Sequence, residues 1–145
     1  MDLSQLGIAD MDAAADVHRI AFDERLPWLA GRHSPDDVRR YFRETVFPAC
    51  TLWGAWKAAS LIGIVAFRQE WIDQLYVLPD FHGRGVGTAL LQVARSSHSR
   101  LQLWTFQRNN AARRFYEARG FVAIRQTDGA ANHEKEPDVL YLWQR

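Results

Sequence analysis

The sequence predicts an α/β fold of the α+β kind, a mixed and mostly antiparallel central sheet flanked by helices. Three observations predict it. Before residue 50 the apolar residues recur at helical spacing; from Cys50 to Val77 they follow the two-residue period of strands; beyond Gly85 helix-like and strand-like stretches alternate. With 145 residues and no linker, repeat or low-complexity tract, the expectation is one domain over 1–145, large enough to bury a core without disulfide or metal.

In chain order, Leu3 to Ile8 reads as a short first strand, and Asp10 then caps a helix whose apolar positions are Met11, Ala14, Ala15, Val17 and Phe22. After a loop at Leu26 to His33, Ser34-Pro35-Asp36-Asp37 starts a second helix: serine caps, proline takes the first helical position, and an acid follows in the first turn. Val38, Tyr41 and Phe42 supply its apolar face. Thr51 to Trp56, Leu61 to Phe67 and Ile72 to Val77, joined by short turns, predict an antiparallel meander. A helix from Gly85 to His98, a strand at Leu101 to Phe106, a helix from Asn110 to Arg119 and strands at Phe121 to Arg125 and Val139 to Trp143 complete the chain. Gly120 suits the left-handed position past a helix end. The polar loop Gln126 to Asp138 is either mobile or a cover over a site.

Charge and cysteine content narrow the function. The net charge is +1, yet residues 81 to 120 hold Arg84, Arg95, Arg100, Arg108, Arg113, Arg114 and Arg119 against Glu117 alone, about +6, leaving about −5 elsewhere. A polyanionic ligand in that half fits this asymmetry, whereas the chain lacks the overall basic excess of a nucleic-acid binder. The lone Cys50 can form neither an internal bridge nor a metal cluster and reads as a small buried residue. No metal site is expected. The first twenty residues have neither a basic leader nor an unbroken apolar run, and no stretch reaches membrane-spanning length, so the expectation is a cytoplasmic protein without membrane partners.

The chain is organised around Leu75 to Leu91, LYVLPDFHGRGVGTALL, where an apolar strand passes through a proline turn into a glycine-rich loop and a helix. Gly83, Gly85 and Gly87 keep side chains away from a ligand, and the first helical turn offers unpaired N–H groups and the positive end of the dipole, a setting for pyrophosphate. A P-loop would need Lys-Ser or Lys-Thr after the glycines, and a dinucleotide fold an acid about 20 residues on; neither is present.

His82-Gly83-Arg84-Gly85-Val86-Gly87, together with Asn109, Ala112, Phe115, Tyr116, Gly120 and Phe121 in NNAARRFYEARGF, resembles the GNAT superfamily of acyl-CoA-dependent N-acyltransferases. Histidine in the first place of the loop departs from the family's Gln or Arg. The resemblance implies a fold in which the fourth and fifth strands splay into a V that admits acetyl-CoA as acyl donor. It implies backbone contacts to pantetheine and acetyl group from Leu75 and Val77, with His82, Arg84, Gly85, Val86, Gly87 and Thr88 around the pyrophosphate. It further implies Asn109 and Ala112 at the donor's arm, and arginines such as Arg108 or Arg113 near the ribose phosphate.

The implied reaction is direct transfer of acetyl from acetyl-CoA to a primary amine of a small molecule or peptide in a ternary complex, by a monomer or homodimer. A non-catalytic acyl-CoA sensor or binding module is the alternative, and a nucleotide-phosphate enzyme the third reading. An alkyl amine has a pKa near 10.4, so few molecules are neutral at pH 7 and a base is needed. Glu70 and Asp73 are the candidates, and strict alternation puts Asp73 on the face of Leu75 and Val77 with Glu70 on the other parity. The resemblance puts Tyr116 near the leaving sulfur. Trp28, Tyr41, Trp53, Trp56 and Trp71, with Asp23 and Glu24, lie in the region that borders the acceptor in this family, a combination suited to a cationic amine.

Overall fold

The computed structural model describes all residues from Met1 to Arg145. Seven strands form one sheet in the order β1-β2-β3-β4-β5-β7-β6, where β1 is Asp2–Gln5, β2 Thr51–Lys57, β3 Ser60–Arg68, β4 Trp71–Val77, β5 Arg100–Phe106, β6 Val122–Thr127 and β7 Asp138–Gln144. Strands β2, β3 and β4 are the expected meander, and every pairing is antiparallel except β4 with β5.

That parallel pair meets only at Trp71 and Gln102, where Gln102 N–H donates to the Glu70 carbonyl at 2.8 Å. Beyond it the strands diverge, because β5 is drawn along its length by β7, from Arg100↔Gln144 to Phe106↔Asp138. The sheet is thus two ladders hinged at one end.

The helices are α1 Met11–Arg25, α2 Pro35–Tyr41, α3 Phe47–Ala49, α4 Val86–Ser96 and α5 Asn110–Glu117. Ser34 Oγ accepts from Asp37 N–H at 3.1 Å, the cap expected of serine there. Asp10 sits at the N-terminus of α1 but spends its carboxylate on Gly7 N–H at 2.9 Å, fastening a 3₁₀ turn at Ile8–Asp10. That turn ends the first strand at Gln5, where the sequence predicts it to run to Ile8. Between α2 and α3 the chain widens to a π-helix at Phe42–Val46 just before Pro48, which has no N–H to donate and whose ring would meet the carbonyl one turn back.

Two cores lie on opposite faces of the sheet. Val86, Leu90, Leu91 and Ala94 of α4 pack with Val65, Ile72, Leu101, Tyr116 and Tyr141 on one face; Met11, Ala14, Ala15 and Val17 of α1 pack with Phe42, Leu52 and Ile64 on the other. Of the apolar face predicted for the second helix, Phe42 is buried while Tyr41 is 49% exposed. Trp53 and Trp56 fall to opposite cores, as their spacing on one strand demands. No helix is long and apolar enough to cross a membrane.

Candidate active site

The mouth of the V is an opening of about 370 Å³, and ten of the residues singled out by sequence line it: Leu75, Val77, His82, Gly85, Val86, Gly87, Thr88, Asn109, Ala112 and Tyr116. A smaller cleft of about 70 Å³ continues it between β4 and β5, sharing Leu75, Tyr76, Asn109, Ala112 and Tyr116. The end of α1 closes the larger opening with Ala21, Phe22, Arg25 and Leu26, which no local motif announces.

Backbone geometry decides what β4 offers. Val77 is opposite Gly63, yet it is Leu78 N–H that bonds the Ile62 carbonyl at 2.9 Å, so Val77 occupies a non-hydrogen-bonded site of the β3 ladder. Leu75, two residues earlier and opposite Val65, has the same orientation. Both therefore turn their N–H and C=O groups toward β5, which has left. One of these is taken: His82 Nε2 lies 2.8 Å from the Val77 carbonyl, while its Nδ1 is 2.8 Å from Arg25 Nη2. Because arginine only donates, Nδ1 is the acceptor and Nε2 carries the proton. His82 thus braces the loop between α1 and the end of β4, and the N–H groups of Leu75 and Val77 remain available.

The glycine loop has the form of an anion cradle. Gly85, at φ +82°, forms the left-handed N-cap of α4, and nothing lies within 4 Å of where a Cβ would stand. The first helical bond runs from Ala89 N–H to the Gly85 carbonyl at 3.0 Å, leaving the N–H groups of Val86, Gly87 and Thr88 to a ligand. Gly87 has a packing reason as well: a Cβ there would stand 3.2 Å from the Phe115 ring. Arg84 is exposed and flanks the loop with its guanidinium 5.5 Å from the centre of the Phe81 ring.

The arginine at the cradle is Arg119, which the sequence counts among the seven arginines of residues 81 to 120 without giving it a place at the site. It donates to Thr88 Oγ1 from Nε at 3.1 Å and from Nη2 at 2.8 Å, and lies 3.8 Å over the Phe115 ring. Its signal in the sequence is its place four residues after Phe115, in the turn that follows α5, from which it reaches back to the Phe115 carbonyl at 2.9 Å. Arg108 and Arg113, expected near a ribose phosphate, are engaged elsewhere: Arg108 grips Glu136 at 2.8 and 2.9 Å, and Arg113 donates to Tyr141 Oη at 3.0 Å.

Asn109 Oδ1 accepts from Ala112 N–H at 3.2 Å, capping α5 and leaving its amide NH₂ to donate. Tyr116, on α5 and 7% exposed, makes no hydrogen bond within the chain from its hydroxyl; burial, with the nearby Tyr76, raises its pKa above the usual phenol value.

The carboxylates depart from expectation. β3 and β4 pair Ala66 with Gln74 and Phe67 with Ile72, so Asp73 is the extra residue of a β-bulge. Leu75 and Val77 consequently share their face with Ile72, not with Asp73, whose carboxylate accepts from Arg68 Nε at 2.6 Å and from Cys50 Sγ at 3.4 Å. Burial, reinforced by that carboxylate, pushes the half-buried Cys50 thiol up to about 12. Glu70 is exposed in the hairpin turn before β4 with φ +63°, roughly 16 Å along the strand from Leu75 at the usual rise.

The loop between β6 and β7 is docked. Glu136, 6% exposed, accepts from Arg108 and from Trp28 Nε1 at 3.1 Å, and Arg108 stacks 4.0 Å over Trp28. Arg32 donates to the Glu134 carbonyl at 3.2 Å, and Gly129 is required where a Cβ would collide with the Glu136 backbone. The loop therefore forms a wall with the α1–α2 connection.

Known proteins share this fold. Residues 48–123 match the family model described as an acetyltransferase (GNAT) domain. The peptidyl-lysine N-acetyltransferase YiaC of Escherichia coli is 33% identical over 66 residues, a stretch spanning 45% of this chain and 45% of that protein. The solution structure of apo YjaB from Escherichia coli superposes with a TM-score of 0.80 at 19% identity over 99% of this chain and 98% of that one. The PaiA N-acetyltransferase of Thermoplasma acidophilum, solved with coenzyme A, gives 0.72 at 18% identity over the whole of both chains. The family model covers more than half of the sequence, and the chain belongs to the GNAT acetyltransferase family.

Proposed function

We propose that the protein transfers an acetyl group from acetyl-CoA to a primary amine of a small molecule or peptide by direct attack in a ternary complex. One observation carries this reading: a single opening joins the unpaired N–H groups of Leu75 and Val77, the bare N-terminus of α4 and the Tyr116 hydroxyl. A thioester linked by a long amide-bearing arm to a pyrophosphate asks for those three things in that order.

In this reading Val86, Gly87 and Thr88 N–H groups and Arg119 hold the pyrophosphate, with Arg84 adding positive charge outside. β4 takes the pantetheine arm as an added strand, aided by the Asn109 amide. The Leu75 N–H donates to the thioester oxygen as negative charge grows there, a contribution typically worth about 3 kcal/mol in such sites. Tyr116 donates a hydrogen bond to the departing sulfur. Full proton transfer would be uphill, since the phenol, ordinarily near 10 against about 8.5 for a thiol, is raised further by burial.

The amine's proton needs an acceptor, and of the two sequence candidates Asp73 is the better placed: held by Arg68, it lines the narrow cleft between β4 and β5 together with Leu75 and Tyr116, whereas Glu70 lies at the closed end of the V. The name of the YiaC relative favours an amine on a lysine side chain as acceptor.

A thiol-release assay with acetyl-CoA and a panel of amines tests the proposal. Release that depends on an amine is expected. Tight acetyl-CoA binding with no release across the panel would leave the sensor reading in its place.

A further inference from the structure

Three of the five histidines are engaged within the fold. His18 packs among Phe22, Phe42 and Tyr76; His82 has Arg25 and the Val77 carbonyl at its two ring nitrogens; His98 Nδ1 is 2.7 Å from the Ala94 carbonyl, its ring edge-on to Phe67. The other two, His33 and His133, are exposed and distant in sequence, yet their Nε2 atoms stand 3.3 Å apart. His33 belongs to the α1–α2 connection and His133 to the β6–β7 loop, the two segments that form the wall.

Two readings of that contact differ in geometry. A straight N–H···N hydrogen bond across such a gap would set the ring centres about 5.6 Å apart, and 3.3 Å is long for such a bond. Two imidazole nitrogens on one tetrahedral zinc ion, each at about 2.05 Å, stand about 3.3 Å apart with ring centres about 5.2 Å apart. The ring centres of His33 and His133 are 5.3 Å apart, with the planes inclined by 24°. Both distances match a shared ion more closely than a direct bond.

The backbone that carries the two rings is braced without them. Arg32 Nη1 donates to the Glu134 carbonyl at 3.2 Å, joining the neighbours of His33 and His133, and Glu136 is held by Arg108 and Trp28. Lys135 turns its ammonium to the Ala130 carbonyl at 2.8 Å. The rings are thus at ligand spacing before an ion arrives, which lowers the ordering cost of binding. No third histidine, cysteine, aspartate or glutamate joins the pair, so water completes the coordination and the ion stays exchangeable.

We propose that His33 and His133 bind one divalent transition-metal ion of the zinc class through their Nε2 atoms, and that the ion ties the β6–β7 loop to the α1–α2 connection. Each Nε2 offers its lone pair, with the ring proton on Nδ1. Imidazole nitrogen suits zinc, copper and nickel, whereas magnesium and calcium prefer oxygen. An ion held by both loops favours the arrangement in which both are docked, by mass action. The site is independent of acetyl transfer and is read by binding and loop exchange alone.

The test titrates the untagged, metal-free chain with zinc chloride by calorimetry, for wild type, His33→Ala, His133→Ala and His133→Asn. Wild type is expected to take one zinc per chain, and each variant to bind roughly tenfold or more weakly. His133→Asn is included because an amide can keep a hydrogen bond to His33 but is a poor zinc ligand. Amide hydrogen exchange across residues 30 to 34 and 128 to 137 should slow roughly threefold or more when zinc is added to wild type, stay unchanged in His33→Ala, and not respond to magnesium chloride. No zinc binding by wild type, or equal binding by wild type and the three variants, overturns the site. Zinc bound at the pair without slower exchange overturns the cross-link.

Discussion

At the residue scale, the most informative side chain is Tyr116, held between Phe115, Phe121 and Tyr141 with ring centroids 5.2, 5.3 and 6.3 Å away. Those contacts fix the ring, so Tyr116→Phe removes the hydroxyl with little change in packing. Turnover is expected to fall at least tenfold with acetyl-CoA affinity nearly unchanged; unaltered turnover would remove its role. Because burial raises its pKa, the pH–rate profile of wild type should show no descending limb from this phenol below pH 10. His18 gives a complementary stability prediction. Burial holds its pKa down to about 4, so between the unfolded value near 6.5 and 4 the unfolded chain binds a proton that the folded chain refuses. That stability is complete above 6.5 and declines as pH falls, by up to roughly 3 kcal/mol. Denaturant titrations of His18→Phe should show a flatter loss over that interval than wild type.

At the element scale, the β6–β7 loop depends on one clamp. The Arg108 hydrogen bonds hold the Glu136 carboxyl below the usual carboxylate range, so the clamp's contribution is present above about 4.3 and is lost as pH falls through the lowered folded value. Glu136→Gln should raise amide hydrogen exchange across residues 128 to 137 at neutral pH and abolish the acid-triggered rise seen in wild type. Unchanged exchange would show that Arg108 and Trp28 do not hold the loop. Sequence legibility divides along the same line. The glycine loop is readable because it depends on spacing within one local element, and Asn109 and Tyr116 enter through a family motif that lies within one short helix. The face of Asp73 is not, since a single bulge residue cancels the two-residue period on which alternation rests. The partners of Arg108, Arg119 and Glu134 lie 28, 31 and 102 residues away, contacts that no local pattern encodes.

At the scale of the whole molecule, the fold holds two half-sheets together at Trp71 and Gln102 and leaves the rest of the β4 edge open inside the protein. An unpaired edge normally invites aggregation, and here α1, α4 and α5 enclose it. The order of helices and strands, and the meander leading into the loop, are readable from hydrophobic period; the splay itself enters only through the family resemblance, because it follows from β5 pairing with the distant β7. Arg119→Ala should weaken acetyl-CoA binding about tenfold without lowering the maximal rate, since its proposed contact is with the phosphates, far from the acyl carbon; a selective loss of kcat would contradict that placement. The central claim is direct transfer across this opening. The measurement that tests it is a single-turnover reaction of the protein with isotope-labelled acetyl-CoA and lysine methylamide, followed by mass spectrometry of both protein and amine. The account predicts one labelled acetyl group on the amine and none on the protein at any time; an acetylated protein intermediate, or coenzyme A release without acetylated amine, would contradict it.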